Sequence, residues 1–78
     1  MVVRSKFIDR ITIDPNVNGG KPSIRNMRFS VTQMLELLAS GMTVEEILKD
    51  YPYIEMEDIH ACLNFAAGMA NTKTVVPL

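Results

Sequence analysis

The side chains best suited to chemistry in this sequence are its one histidine, His60, and its one cysteine, Cys62. Nucleophilic catalysis requires a base within hydrogen-bond reach of the nucleophile, and side chains two positions apart on a helix diverge. A catalytic metal needs about three converging protein ligands, which one histidine, one cysteine and scattered acids do not supply. We therefore predict no catalytic residue, no metal and no cofactor. His60 is interpreted as a residue on a helix flank, hydrogen-bonded to water or to a neighbour.

The adjacent glycines Gly19 and Gly20, followed by Lys21, are the nearest approach to a phosphate-binding loop. The second glycine spacing and the Ser or Thr of a P-loop are missing, so we interpret this segment as a turn. With no nucleophile and base pair, no metal ligand set and no phosphate loop, the sequence is not expected to encode an enzyme. No small-molecule substrate is evident.

Charge is divided unevenly along the chain, although the formal net charge is only −1. Six of the eight bases lie in residues 1–28, and seven of the nine acids follow them. A basic half beside an acidic half suits a protein partner, a second subunit, or a phosphate backbone touched by the N-terminal part. Two solvated surfaces explain the same pattern equally well. If DNA is bound, we expect each contact to add to the salt dependence, and the bases chiefly expected to make contact are Arg10, Lys21, Arg25 and Arg28.

Length and composition indicate one globular domain, since the chain has 78 residues of which 47% are hydrophobic. A single cysteine excludes an internal disulfide and is compatible with a reducing cytoplasm. No apolar run reaches the length of a signal peptide or of a membrane span. We therefore expect a cytoplasmic protein with no membrane segment.

The N-terminal part is predicted to form a small β element within residues 1–30. Residues 5–13 alternate imperfectly between apolar and polar side chains and predict one short strand. A loop follows, because Asp-Pro and Gly-Gly pairs are typical of turns. The next segment predicts a tight hairpin, since Asn26 tolerates positive φ at its bend. Arg25 and Arg28 are expected to splay from the tip of this hairpin.

Helix signals occupy the rest of the chain. Ser30 with Gln33, and Thr43 with Glu46, have the spacing of capping boxes. Pro52 disfavours helical geometry at the residue before it, so the middle helix is short and needs a neighbour on each side. The fold is therefore predicted to be all-α, a single domain of helix-turn-helix type that includes the β element. Within a domain of residues 1–70, helices are predicted at about 31–40, 44–51 and 56–70, and an extended tail follows the domain at 71–78.

The third helix is predicted to bury one face and to expose the other. On a helical wheel, the apolar side chains that face the core are Met56, Ile59, Leu63, Ala66 and Ala70. The outward face offers Glu57, His60, Ala61 and Asn64. This helix has no arginine or lysine, the residues with which a recognition helix most often reads bases in the major groove. We therefore prefer a solvated helix face to insertion into DNA.

Apolar side chains that a three-helix core does not cover are candidates for contact with a second protein. An apolar tail can dock as a strand or in a groove, and the six methionines suit an adaptable contact surface. We expect such an interface, most commonly a homodimer. The residues predicted to form it are Phe7, Ile11, Met27, Phe65, Val75, Val76 and Leu78.

Two segments are specific enough to compare with known families. These segments are 20–25, Gly-Lys-Pro-Ser-Ile-Arg, and 41–52, Gly-Met-Thr-Val-Glu-Glu-Ile-Leu-Lys-Asp-Tyr-Pro. Together they resemble the small prokaryotic proteins catalogued as domain of unknown function 433, and the resemblance covers roughly residues 7–67. The sequence departs from the family pattern in having Asn26-Met27-Arg28 in place of Gly-Thr-Arg. It also has Glu55 where the third helix usually begins with Thr or Ser, which are better caps.

The resemblance implies a homeodomain-like three-helix fold with a small β element in front. It also implies an antitoxin, encoded beside a PIN-like ribonuclease toxin, that binds the toxin and its own operator DNA. The first hypothesis is therefore an antitoxin-like binding protein that pairs with a PIN-like ribonuclease and binds operator DNA. The second is a homodimeric protein-interaction module with no DNA role.

Overall fold

The chain forms three helices preceded by a small two-stranded antiparallel sheet, in a computed structural model that describes residues 8–71. The strands and helices are β1 (Ile11–Thr12), β2 (Ser23–Ile24), α1 (Val31–Ala39), α2 (Val44–Asp50) and α3 (Met56–Ala70). The helices lie within one residue of their predicted bounds. Beyond Asn71, the segment predicted as an extended tail lies outside the described residues. None of the described helices is both long and apolar enough to cross a bilayer.

The N-terminal strand is much shorter than predicted. Ile11 pairs with Ile24 and Thr12 pairs with Ser23 in antiparallel register, while Ile8–Arg10 forms a single 3-10 turn. The prediction of a strand from residue 5 to residue 13 is therefore wrong within the described part, and residues 5–7 lie outside it. The partner strand ends at Ile24 because the chain turns back at the next residue, so only two residue pairs form.

A tight turn follows β2. Arg25 and Asn26 have φ angles of 45° and 59°, and the Met27 N–H donates to the Ile24 carbonyl at 2.8 Å. Two successive positive φ angles are the pattern of a type I′ hairpin turn. The predicted positive φ of Asn26 is confirmed, and Arg25 shares this geometry. The returning chain then pairs with β2, since the Ile24 N–H donates to the Phe29 carbonyl at 2.9 Å.

Side-chain caps define where α1 and α2 begin. The Gln33 N–H donates to Ser30 Oγ at 3.0 Å. At α2 the cap is reciprocal, because the Glu46 N–H donates to Thr43 Oγ1 at 3.1 Å and the Thr43 N–H donates to Glu46 Oε1 at 2.8 Å. The hydrogen bonds from Thr43 lower the pKa of Glu46. The predicted capping box at Thr43 is confirmed.

The core lies between the hairpin and the three helices. The Phe29 ring, from the returning strand of the hairpin, lies edge-on to Tyr51 at the end of α2, with 5.0 Å between ring centroids. Since the hairpin contributes fully buried side chains of its own, the three helices share one core with it. The buried members of this core are Ile24, Phe29, Val31, Met34, Ile47, Ile54, Ile59 and Cys62.

The buried face of α3 is rotated relative to the prediction. Ile59 is buried as predicted, but Ala61 is also buried, whereas Met56 and Leu63 are 42% and 46% exposed. The predicted core positions of Met56 and Leu63, and the predicted exposure of Ala61, are therefore wrong. The cause is Asp58, whose carboxylate is fully buried and paired with arginines of the N-terminal part. A helical wheel places every acid outside, although a paired carboxylate can be buried.

Candidate functional site

The densest set of polar contacts among residues 8–71 surrounds the carboxylate of Asp58 in the first turn of α3. Arg25 donates from Nε to Oδ1 at 3.0 Å and from Nη2 to Oδ2 at 2.8 Å. Arg10 donates from Nη1 to Oδ1 at 2.9 Å, and the backbone N–H of Glu55 donates to Oδ2 at 2.9 Å. We refer to Arg10, Arg25, Glu55 and Asp58 as the arginine–aspartate cluster.

The arginine–aspartate cluster joins three parts of the chain, because Glu55 and Asp58 both lie at the start of α3. Arg10 ends the 3-10 turn before β1, Arg25 lies in the hairpin turn, and Asp58 lies in α3. Arg10 Nη1 also donates to Glu55 Oε1 at 2.6 Å, and Arg25 Nη2 donates to the Tyr53 carbonyl at 2.6 Å. The cluster therefore ties the small sheet and the hairpin turn to the start of α3.

The electrostatics of Asp58 favour the charged form. Burial opposes ionisation, but the hydrogen bonds from Arg25, from the Glu55 N–H and from Arg10 outweigh it and lower the pKa of the Asp58 carboxyl. The pKa of Arg10 and that of Arg25 are raised, chiefly by hydrogen bonds to Glu55 and Asp58. Because each carboxylate oxygen already accepts at least two donors, the cluster is suited to linking elements and not to transferring protons.

Two of the four bases predicted to contact DNA, Arg10 and Arg25, therefore form ion pairs within the molecule. The prediction that Arg25 splays from the hairpin tip is wrong, because its guanidinium turns back onto Asp58. The two parallel N–H donors of the guanidinium match the two oxygens of a carboxylate. Arg25 therefore binds the buried carboxylate in preference to water. No local sequence signal relates Arg25 to an acid 33 positions later, so only the folded chain reveals the pair.

The other two predicted bases, Lys21 and Arg28, are exposed. Lys21 borders an open groove along α1, which Ser30 and Gln33 also line. These two cations follow the loop and the hairpin turn, so they lie in the N-terminal part where the sequence predicted phosphate contact. Lys21 and Arg28 are available to an anionic partner. Arg10 and Arg25 are only partly available, because their side chains are 30% and 36% exposed.

A second feature of the described surface is an exposed apolar stripe on α3. Met56, Leu63, Ala67 and Ala70 are all exposed and share one side of the helix, along the edge of its buried face and next to Ile59. We refer to these four residues as the α3 stripe. Sequence reasoning missed it because it assigned Met56, Leu63 and Ala70 to the core. The sequence does indicate an exposed apolar surface, because α3 has more apolar side chains than one buried face can hold.

The residues predicted to form a protein interface are only partly described. Ile11, Met27 and Phe65 are half-buried and pack against the core. Phe7, Val75, Val76 and Leu78 lie outside the described residues. The described members of the prediction are therefore partners of the core, and the more exposed apolar side chains lie elsewhere, at Ile13, at Tyr53 and on α3.

The side chains first considered for chemistry do not converge. Cys62 is a free cysteine buried in the core, and burial, reinforced by the charge of Asp58, raises the pKa of its thiol to about 12. His60 is exposed on α3. Within residues 8–71, no group of three or more His, Cys, Asp or Glu side chains is placed to hold a metal ion.

Comparison with known proteins gives one family. A family model described as "Protein of unknown function (DUF433)" matches residues 11–66, which is most of the chain and spans both strands and the greater part of α3. Neither the curated proteins nor the solved structures gave a match. The matched range includes Arg25, Glu55 and Asp58, three of the four members of the arginine–aspartate cluster.

Proposed function

Because this chain belongs to the DUF433 family of proteins of unknown function, we propose that it is a small antitoxin-like binding protein of the cytoplasm. It pairs with a PIN-like ribonuclease toxin and binds operator DNA. In this proposal α1, α2 and α3 form a homeodomain-like helix-turn-helix, and the β element stabilises the start of α3. The chain itself catalyses no reaction, and it acts by binding its partners.

The observation that carries the proposal is the exposure of apolar side chains along α3. Met56 and Leu63 are nearly half exposed, and Met69, beyond the end of the core, is 62% exposed. Met56 and Leu63 lie on one side of α3, and contiguous exposed apolar surface is typical of protein contact. No cation lies between Ile54 and Asn71, so this surface favours a protein over a phosphate backbone.

We assign the contacts with operator DNA to the basic N-terminal part of the chain. Lys21 and Arg28 are exposed, belong to the basic N-terminal part, and do not lie on α3. Contacts from these residues are to phosphates, which position a protein on DNA without reading its sequence. A dimer would double the number of such contacts.

The second candidate function is a homodimeric protein-interaction module with no DNA role. Its supporting observation is the engagement of Arg10 and Arg25 with Asp58, which leaves few free cations for DNA among residues 8–71. The two candidates differ in one measurable property, the response of nucleic-acid binding to the loss of exposed bases.

The test of toxin pairing is inhibition of the ribonuclease. The PIN-like product of the neighbouring gene is titrated with the purified full chain, and RNA cleavage is followed. We expect inhibition that saturates at a fixed molar ratio. Undiminished cleavage at a large excess of the chain would contradict the pairing.

The test of DNA binding uses the exposed bases. Replacing Lys21 and Arg28 together by glutamine removes two phosphate contacts, so we expect weaker binding to the promoter fragment and a salt slope smaller by about 2. Lys49→Gln, at an exposed position of α2, is the matched control and leaves the slope unchanged. Absence of binding by all three proteins would favour the module with no DNA role, and equal binding would contradict the assignment of Lys21 and Arg28 as the contacts.

A further inference from the structure

We propose that the α3 stripe is the contact between two copies of this chain, which pack their α3 helices antiparallel across a twofold axis close to Leu63. This inference rests on the proposal that α3 contacts protein, and it gives the α3 stripe to a second copy of the chain, while Met69, exposed on another face of α3, is left for the ribonuclease. In a twofold interface the same patch occurs on both sides, so the α3 stripe has to be complementary to itself.

The order of side-chain sizes along the α3 stripe provides that complementarity. Its large member, Met56, lies at the N-terminal end, and its small members, Ala67 and Ala70, lie at the C-terminal end. In an antiparallel pair centred on Leu63, the Met56 side chain lies against the partner's Ala70 and fills the space that the small residues leave. Small residues also let two helices approach closely over a length of about 22 Å.

The charges of α3 select the antiparallel direction. Exposed Glu55 and Glu57 lie at its start, whereas residues 61–71 carry no charged side chain. An antiparallel pair places each acidic end beside the partner's uncharged end, and it also opposes the two helix dipoles. A parallel pair would bring the two acidic helix starts to the same end, which like-charge repulsion disfavours. The stripe itself contains no charge that would have to be buried.

The size of the stripe limits the strength of the contact. Stable dimers bury about 800 Å² on each partner, and one face of a four-turn helix supplies less than a broad interface of several elements. We therefore expect a reversible monomer–dimer equilibrium that concentration shifts, and not a permanent dimer.

The experiment is sedimentation equilibrium of the full chain alone, over a wide range of concentration. We expect a monomer–dimer equilibrium whose dissociation constant rises at least about tenfold in Leu63→Lys, because two charges then meet near the axis. Leu63 is 46% exposed, so this variant retains the core and its thermal melt checks the fold. Gly68→Lys is the matched control, since Gly68 is exposed, lies off the stripe and has no atom within 4 Å of an added Cβ.

A cross-linking experiment tests the geometry independently. Leu63→Cys places a thiol close to the axis, so mild oxidation should give a covalent dimer, whereas Gly68→Cys should give little. A monomer at every concentration, a dimer that ignores Leu63→Lys, or preferential cross-linking through Gly68→Cys would overturn the inference. A monomer that still inhibits the PIN-like ribonuclease would overturn it while leaving the proposed function intact. A dimer that Leu63→Lys dissociates but that has no effect on the ribonuclease would support it and contradict the proposed function.

Discussion

Asp58 is the residue on which the arrangement of the N-terminal part depends. Its carboxylate accepts hydrogen bonds from Arg10 and Arg25, which lie 48 and 33 positions earlier in the chain. It also accepts one from the Glu55 N–H at the start of α3. The sheet pairs only two residues on each strand, and so small a sheet is marginal without support. The arginine–aspartate cluster supplies that support by holding the hairpin turn against α3.

The first prediction concerns the loss of this charge. Asp58→Asn leaves Arg10 and Arg25 without their buried carboxylate, so we expect the free energy of unfolding to fall by about 2–3 kcal/mol. Urea denaturation followed by circular dichroism measures it. Glu57→Gln is the control, because Glu57 is the exposed neighbour of Asp58, and it is expected to stay within about 0.5 kcal/mol of the wild type. Equal losses in both variants would contradict a special role for Asp58.

The second prediction concerns acid. The pKa of Asp58 is lower in the folded chain than its usual value, which is about 3.9 in an unfolded chain. The stabilisation from its ionisation is therefore complete above that value and is lost as pH falls through the folded pKa. We expect the free energy of unfolding to drop below about pH 4, with a shallower drop in Asp58→Asn. Denaturation curves at a series of pH values measure this, and identical slopes would contradict the assignment.

The third prediction concerns Cys62. The thiol is buried and its pKa is about 12, so almost no thiolate exists near neutral pH. We expect a chromogenic thiol reagent to leave the folded chain unmodified and to react at once after denaturation. Leu63→Cys, kept reduced and at a concentration where the chain is monomeric, should react through one thiol while folded. Rapid labelling of the folded wild type would show that Cys62 is more accessible than described.

At the scale of elements, α2 depends most on its cap. It has seven residues, which is too short for independent stability, and it buries Ile47 between its neighbours. The Thr43–Glu46 capping box determines where it begins and satisfies backbone groups that would otherwise be exposed.

The fourth prediction tests this cap. Thr43→Ala removes the hydroxyl that accepts the Glu46 N–H, so we expect the free energy of unfolding to fall by about 1 kcal/mol. Thr32→Ala is the matched control, because Thr32 is an exposed residue within α1, and its loss should cost less than about 0.5 kcal/mol. Both values come from thermal or urea denaturation, and a Thr43→Ala protein as stable as the wild type would contradict the role of the cap.

The helix α3 shows where reasoning from sequence reached its limit. Its bounds follow from local signals, but its rotation depends on Asp58, which hydropathy places outside and ion pairing places inside. Because Asp58 faces the core, Met56 and Leu63 lie at the surface and not in the core. A local pattern cannot contain this information, because the pairing arginines come from elements more than 30 positions away.

At the scale of the whole molecule, the helices, their caps and the positive φ of Asn26 were predictable because each depends on neighbours within a few residues. The length of β1, the inward turn of Arg25 and the exposed face of α3 were not, because each depends on contacts distant in sequence. The candidate site divides in the same way. Exposed Lys21 and Arg28 agree with a basic N-terminal surface, whereas the arginine–aspartate cluster and the α3 stripe emerge only from the folded chain.

The central claim is that this chain works by binding a protein partner. The most direct measurement is size-exclusion chromatography with light scattering on the full chain co-expressed with the PIN-like product of the neighbouring gene. The account predicts one peak that contains both proteins in a fixed ratio, with a mass above that of either alone. Separate elution of the two proteins, each at the mass it has when expressed alone, would contradict the antitoxin-like role.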